Sequence, residues 1–203
     1  MVDVRCEMTT AILPDESVYR SAFAALPEWR RRKAVSFRFA ADRRRSVAAW
    51  LLLRRMLAER GIDADVLEVS EDEFGKPRFT SRGDVHFNVS HSGDRVMAAV
   101  SDAEVGCDVE RIMRIDDGML KLSLVDAERT RLAAFSGEAR DREFIRLWVR
   151  KESYVKAVGE GMDIGLSTFS ALDTPPSSDW VWQDFDFGDG HLGCVCSRLS
   201  SPP

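Results

Sequence analysis

The sequence predicts an α/β protein of the α+β type, built from two halves of about a hundred residues each. Three observations predict it. A strong helical stretch over residues 42–60, apolar in its middle, is followed by closely spaced strand-like runs. A second long helical stretch, 138–158, is again followed by strand-like runs. Between the two lies a short apolar strand carrying two acids, Val105-Gly106-Cys107-Asp108-Val109-Glu110. The junction falls near residue 102, which divides the chain into 1–102 and an acid-bearing half, 103–203. No identity between the halves proves a duplication.

The bulk composition fits such a fold. The chain has 203 residues, 44% hydrophobic and 31% charged, enough to bury a core without disulfides or structural metal. The four cysteines, Cys6, Cys107, Cys194 and Cys196, form no C-x-x-C pair or zinc spacing, so a reduced, cytoplasmic setting is expected. Residues 1–7 carry acids and no basic-then-apolar pattern, so a signal peptide is not expected. No apolar run approaches the roughly 20 residues of a membrane span. Net charge is −5, yet residues 30–45 hold eight basic side chains against Asp42, giving +7 there and −12 elsewhere. A basic patch on an acidic protein points to a specific anionic partner rather than to general nucleic-acid binding.

Taken in order, residues 2–13 read as a strand and 15–25 as a short helix. Pro27 suits the first turn of a second helix reaching Phe37. Asp42 reads as the N-cap of a helix to Arg60, stopped by Gly61. Its middle, Val47–Leu53, is apolar nearly all round and therefore buried. Its first turns bring Arg44, Arg45 and Ser46 to a helix start, a good place for a phosphate. Residues 66–70 read as a strand and 71–77 as a loop. Residues 85–90 and 95–101 read as a hairpin turning through His91-Ser92-Gly93-Asp94. The strand 105–110 follows. A helix over 126–135 capped by Asp126, the long helix 138–158 stopped by Gly159 and Gly161, and strands near 166–172, 180–187 and 191–198 complete the chain. The tail from Ser200 is expected to fray.

The chemistry gathers in four stretches. Asp108 and Glu110 share one strand face, with Cα atoms about 6.6 Å apart. Two carboxylates on one face of an apolar strand repel and lose hydration, and a divalent cation such as Mg²⁺ relieves both problems. A solvated edge strand is the plainer reading. In the long helix, Glu152 and Lys156 are four apart and share a face. They are either an exposed pair contributing roughly 0.2–0.5 kcal/mol, or a third metal carboxylate and a phosphate-binding cation. The second reading requires the helix to cross the Asp108/Glu110 strand. Asn88, Ser90, His91 and Ser92 beside Gly93 form either a polar turn or an anion site. Ser90 and His91 point to opposite strand faces, which disfavours a nucleophile–base couple. Gly75-Lys76-Pro77-Arg78 is a basic turn and not a P-loop.

The ordered set Gly-Lys-Pro, Phe-Asn-x-Ser-His-Ser-Gly, Gly-x-Asp-x-Glu and Trp-x-x-Lys-Glu-Ser-x-x-Lys, over residues 75–161, resembles the Sfp-type 4′-phosphopantetheinyl transferases. Weaker similarity reaches back to Pro27-Glu28-x-Arg30 and Asp42-x-x-Arg45-Ser46. The resemblance implies two halves related by a pseudo-twofold axis, with the active site between them, in a monomer. It implies Mg²⁺ on Asp108, Glu110 and Glu152, and coenzyme A in the cleft. Lys76, Ser90, His91 and Lys156, with Arg45 and Ser46, would contact coenzyme A phosphates. The implied reaction moves the 4′-phosphopantetheine group to a serine of an apo acyl or peptidyl carrier protein and releases 3′,5′-ADP. Such proteins serve nonribosomal peptide, polyketide and fatty-acid synthesis. Glu152 is the candidate base, acting directly or through water, with Lys156 and His91 assisting. Glu128 resembles a further family acid, but its neighbours depart from the expected aromatic pattern. Cys107 should point away from the metal. No nucleic acid or membrane partner is implied. The rival readings are a Mg²⁺-dependent hydrolase of nucleotide pyrophosphates and a nucleotide- or RNA-binding module on the 30–45 patch. The module is disfavoured because Trp29, Phe37 and Phe39 read as helical and the chain is acidic.

Overall fold

The computed structural model describes residues 1–159 and 164–199. The expected stop at Gly161 and the expected fraying beyond Ser200 lie outside these residues. The first strand, β1 (Val2–Met8), is shorter than the run 2–13. It pairs antiparallel with β5 (Arg95–Ser101) from Val2↔Ser101 to Met8↔Arg95, and there its partner ends. With no ladder left to join, the chain coils into the short helix α1 (Thr9–Ile12). Helix α2 (Glu16–Ala24) starts where the Asp15 carboxylate accepts the Val18 N–H at 2.9 Å. Pro27 immediately precedes α3 (Glu28–Ser36) instead of forming its first turn. Helix α4 (Ala40–Glu59) begins two residues before the expected cap, so Asp42 sits in its first turn, where its charge suits the helix dipole. Gly61, at φ 74°, follows its end. A small ribbon of β2 (Val69–Glu71) and β3 (Pro77–Phe79) comes next. Exposed Val66 stays outside it. Strand β4 (His86–Ser92) then turns tightly into β5, because Gly93 adopts φ 55°. His91 and Ser92 therefore belong to the ladder, not to the turn.

The second half opens with β6 (Val105–Arg111). An unexpected short helix, α5 (Asp117–Ser123), starts where Asp116 accepts the Met119 N–H at 2.9 Å. Helix α6 (Asp126–Leu132) is capped at Val125, not Asp126. Helix α7 (Gly137–Val158) stops at Gly159, at φ 82°. The strand expected over 166–172 is instead a single 3₁₀ turn, Leu166–Thr168. Its backbone carbonyls are claimed from elsewhere, since Lys151 Nζ donates to Leu166 O and Phe169 O, both at 2.6 Å. Strands β7 (Trp180–Asp186) and β8 (His191–Arg198) finish the described chain.

The two sheets run β1-β5-β4 and β6-β8-β7. Each half thus repeats one plan of strand, helices, long helix and hairpin, with the last strand in the middle of its sheet. Side-chain alternation then builds layers. Val96, Ala98 and Val100 of β5 pack with α4, while Met97 and Ala99 on its other face meet Val105, Cys107, Val109 and Val195 of the second sheet. Cys194 and Leu192 on the opposite face of that sheet pack with α7 residues Phe144, Ile145 and Leu147. The order is helix, sheet, sheet, helix. Among the described residues no helix is long and apolar enough to cross a membrane.

Candidate active site

Alternation along β6 turns Cys107 into the core between the sheets and leaves Gly106, Asp108 and Glu110 on the α7 side. Gly106 lets the helix come close. A Cβ there would lie 2.2 Å from Ser153 O and 2.3 Å from Ala157 N. Helix α7 therefore crosses the acidic strand, as the functional reading of Glu152 and Lys156 requires. Lys156 Nζ donates to Asp108 Oδ1 at 2.6 Å.

The edge strand β6 meets the edge strand β4 of the other half. The two run in the same direction and are joined by side chains, not by a backbone ladder. Asn88 Oδ1 accepts the Cys107 N–H at 3.0 Å, Ser90 Oγ the Val109 N–H at 3.4 Å, and Ser92 Oγ the Arg111 N–H at 3.2 Å. Both serine hydroxyls also donate to carboxylates. Ser90 reaches Asp108 Oδ1 at 2.8 Å and Ser92 reaches Glu110 Oε2 at 2.5 Å.

Around this seam lies a cleft of about 460 Å³. It is lined by Ser46, Ser90, His91, Asp108, Glu110, Glu152 and Lys156 from the expected set, together with Arg30, Lys33, Phe37 and Trp148. The acids are under strain. Burial and the neighbouring Asp108 push the Glu110 carboxyl up to about 7. Burial, with Asp108 adding, raises Glu152 against the opposing pull of Lys156. Burial alone would lower Lys156, but Asp108 and Glu152 outweigh it and hold the ammonium firmly charged. Buried Asp108 Oδ2 has no hydrogen-bond partner among the described residues. The oxygens that Asp108, Glu110 and Glu152 offer are all carboxylate oxygens, the kind that suits a hard cation such as Mg²⁺. With the side chains as they stand, no group of three or more His, Cys, Asp or Glu among the described residues is gathered closely enough to hold a metal ion.

The basic wall comes from α3 and α4. Arg30 is buried between the Trp29 and Trp50 rings, 5.4 and 5.2 Å from their centroids. Its Nη2 donates to Ser46 O at 2.8 Å and to Ser46 Oγ at 3.0 Å. Its buried Nε has no hydrogen-bond partner among the described residues. Burial lowers the guanidinium to about 10, so it still carries its charge. Lys33 stands one helical turn on. The sequence signal for both was the i, i+3 spacing within the basic run. His91 stacks edge-on against Phe37, with centroids 5.6 Å apart. Burial, helped by the Arg45 cation, lowers its imidazole to about 4, so it is neutral near pH 7. Phe37 and Phe39 lie between α3 and α4, not within a helix as expected.

Three expected residues stand elsewhere. Arg45 is outside the lining, held by Asp42 Oδ1 at 2.5 Å and Gly93 O at 3.1 Å, and its charge helps to lower the His91 imidazole. Lys76 is not among the residues lining this cleft. Its ammonium donates to Ala157 O at 2.8 Å and Val105 O at 3.3 Å, clamping the end of α7 to the start of β6. Burial pushes that ammonium down to about 8. Glu128 is fully buried away from the cleft. It is paired with Lys151 Nζ at 2.7 Å, and accepts the Ala171 N–H at 2.6 Å and the Val125 N–H at 2.9 Å.

The fold and cleft define a class: a two-halved α+β protein whose seam sets three carboxylates against a wall of cations. Comparison with known proteins makes this specific. Residues 12–103 match the N-terminal region of 4′-phosphopantetheinyl transferases, and residues 104–191 match the 4′-phosphopantetheinyl transferase superfamily. The chain is 30% identical over 179 residues to the 4′-phosphopantetheinyl transferase Sfp of Bacillus subtilis strain 168, covering 83% of this chain and 80% of that protein. It is 35% identical over 143 residues to psf-1 of Bacillus pumilus and 36% identical over 129 residues to gsp of Aneurinibacillus migulanus, both also 4′-phosphopantetheinyl transferases. The matches cover 70% and 63% of this chain, and 61% and 54% of those two relatives' lengths. The chain belongs to the 4′-phosphopantetheinyl transferase superfamily.

Proposed function

We propose that this protein transfers the 4′-phosphopantetheine group of coenzyme A to a serine of an apo acyl or peptidyl carrier protein. The observation that carries the reading is the convergence on one cleft of Asp108, Glu110 and Glu152 with Arg30, Lys33 and Lys156. A polyphosphate ester needs such cations before an uncharged hydroxyl can approach its phosphorus. The orphaned Asp108 Oδ2 and the raised Glu110 and Glu152 support a divalent cation as the partner these acids lack. When bound by these three residues, Mg²⁺ would supply charge neutralisation at the pyrophosphate.

The chain's own residues do the rest. Arg30 and Lys33 hold a phosphate of coenzyme A, with Ser46 fixing the Arg30 guanidinium. His91 and Ser90 orient the pyrophosphate, His91 as a neutral hydrogen-bonding ring. The carrier serine oxygen bonds to the β-phosphorus. The bond from that phosphorus to the oxygen bridging the two phosphates breaks, and 3′,5′-ADP leaves with the electron pair. Glu152, whose burial raises its basicity, takes the serine proton. Lys156 steadies charge on the transferring group. The site belongs to both halves, 1–102 and 103–203, and works within one monomer.

The test is intact mass spectrometry of an apo carrier protein incubated with this protein, coenzyme A and Mg²⁺. We expect a gain of about 340 Da, the mass of the transferred group. We expect its loss, by at least a hundredfold in rate, with Lys156→Ala or Asp108→Ala. Release of 3′,5′-ADP without any carrier protein would instead identify a pyrophosphate hydrolase.

A further inference from the structure

The seam between β4 and β6 follows a rule. Each serine at position n on β4 accepts the backbone N–H of residue n+19 and donates to the carboxylate of residue n+18. Ser90 does so with Val109 and Asp108. Ser92 does so with Arg111 and Glu110. Asn88 keeps the first half of the rule, accepting the Cys107 N–H, but faces Gly106 and so has no carboxylate to serve.

A hydroxyl has one proton. Once the Arg111 N–H points at Ser92 Oγ, the hydroxyl proton is directed to the remaining acceptor, Glu110 Oε2. A fixed backbone group of one half thus orients, through a serine of the other half, a carboxylate that would otherwise swing freely on its three side-chain bonds.

We propose that Ser92 is a positioning residue, which holds the Glu110 carboxylate in place to receive a divalent cation. The proposal rests on the metal-dependent reading of the cleft given above. Ser92 is not among the residues lining the cleft, and it acts through Glu110. Hydrogen-bond partners that orient metal-binding side chains typically change metal affinity by about 10- to 100-fold when removed. Ser90 follows the same geometry, but it also lines the cleft beside Lys156, so its removal would mix two effects.

Asn88 supplies the control. Replacing it removes one seam hydrogen bond of the same type without disturbing a carboxylate. The experiment titrates Mn²⁺ into the full protein with coenzyme A present, read by calorimetry and by the paramagnetic signal of free Mn²⁺. Thermal melting is measured in parallel for the parent, Ser92→Ala, Ser92→Thr and Asn88→Ala. We expect Ser92→Ala to weaken Mn²⁺ at least tenfold and Ser92→Thr, which keeps the hydroxyl, to stay within about threefold of the parent. Asn88→Ala should lower the melting temperature while leaving Mn²⁺ affinity in place. If Ser92→Ala binds Mn²⁺ as the parent does, or if Asn88→Ala weakens it equally, the serine merely docks two strands and the proposal falls. A parent that binds no Mn²⁺ would overturn the metal reading itself, a result distinct from either.

Discussion

His91 carries an unusual burden for a cleft residue. Its folded pKa of about 4 lies below the ordinary value of 6.5, because burial and Arg45 oppose its charge. Between these values the unfolded chain binds a proton that the folded chain refuses, so stability falls as the pH drops from about 6.5 toward 4. Replacing His91 with Asn should make the loss of melting temperature over that interval shallower than in the parent. Lys151 and Glu128 make a second case. Their charges are fully buried and satisfy each other, together with four backbone groups. Lys151→Met would leave a buried carboxylate unpaired and should cost about 3–5 kcal/mol in urea denaturation. Whether a given residue could be read from the sequence depended on its partner. Asp108 and Glu110 were legible because strand alternation is a backbone constant, as were Glu152 and Lys156 four apart on a helix. Lys76 was not. Its partners are carbonyls of Val105 and Ala157, and no side-chain pattern marks a carbonyl 81 residues away.

At the scale of elements, α3 divides its basic residues by face. Arg30 and Lys33 turn into the cleft, whereas Arg31 donates to Ala24 O and Arg32 pairs with Glu28 on the exposed side. The helix thus sorts onto two faces basic side chains that a charge run alone leaves merged. Arg30→Met should raise the coenzyme A KM by about tenfold, the loss of one charge-assisted contact. Reversing Arg31 and Arg32 to Glu should raise the carrier-protein KM with coenzyme A little changed. Steady-state kinetics with each substrate varied in turn would show equal effects on both if the division is wrong. The crossing of α7 over β6 makes a sharper claim. Gly106→Ala would force a methyl into the helix backbone and should destabilise the fold by about 3 kcal/mol, measured by urea denaturation. The long helices α4 and α7 were plain from periodicity. Helix α5, like α6, is too short at seven residues to show a period, and it was missed where α6 was found from its acid-led start. The false strand at 166–172 was apolar enough to pair, but a buried lysine had already claimed its carbonyls.

At the scale of the molecule, the layering explains why the cleft sits at the junction. Each sheet gives one face to its own long helix and the other to its twin, and the edge strands β4 and β6 meet at the seam between the halves. The repeated order of strand, helices and hairpin was visible in outline. The side-chain seam was not, since it joins residues whose shared rule appears only once the strands lie side by side.

The placement of β1 has a consequence for how the chain is made. Its partner is β5, so Val2 waits for Ser101 before its edge is covered. While a ribosome is still adding residues below about 100, β1 has no partner strand and the face of α4 that packs on β5 is uncovered. Once β5 emerges, the first sheet can close. The second half, emerging later, then finds β4 already in place, a finished template on which Asp108 and Glu110 are set as they arrive.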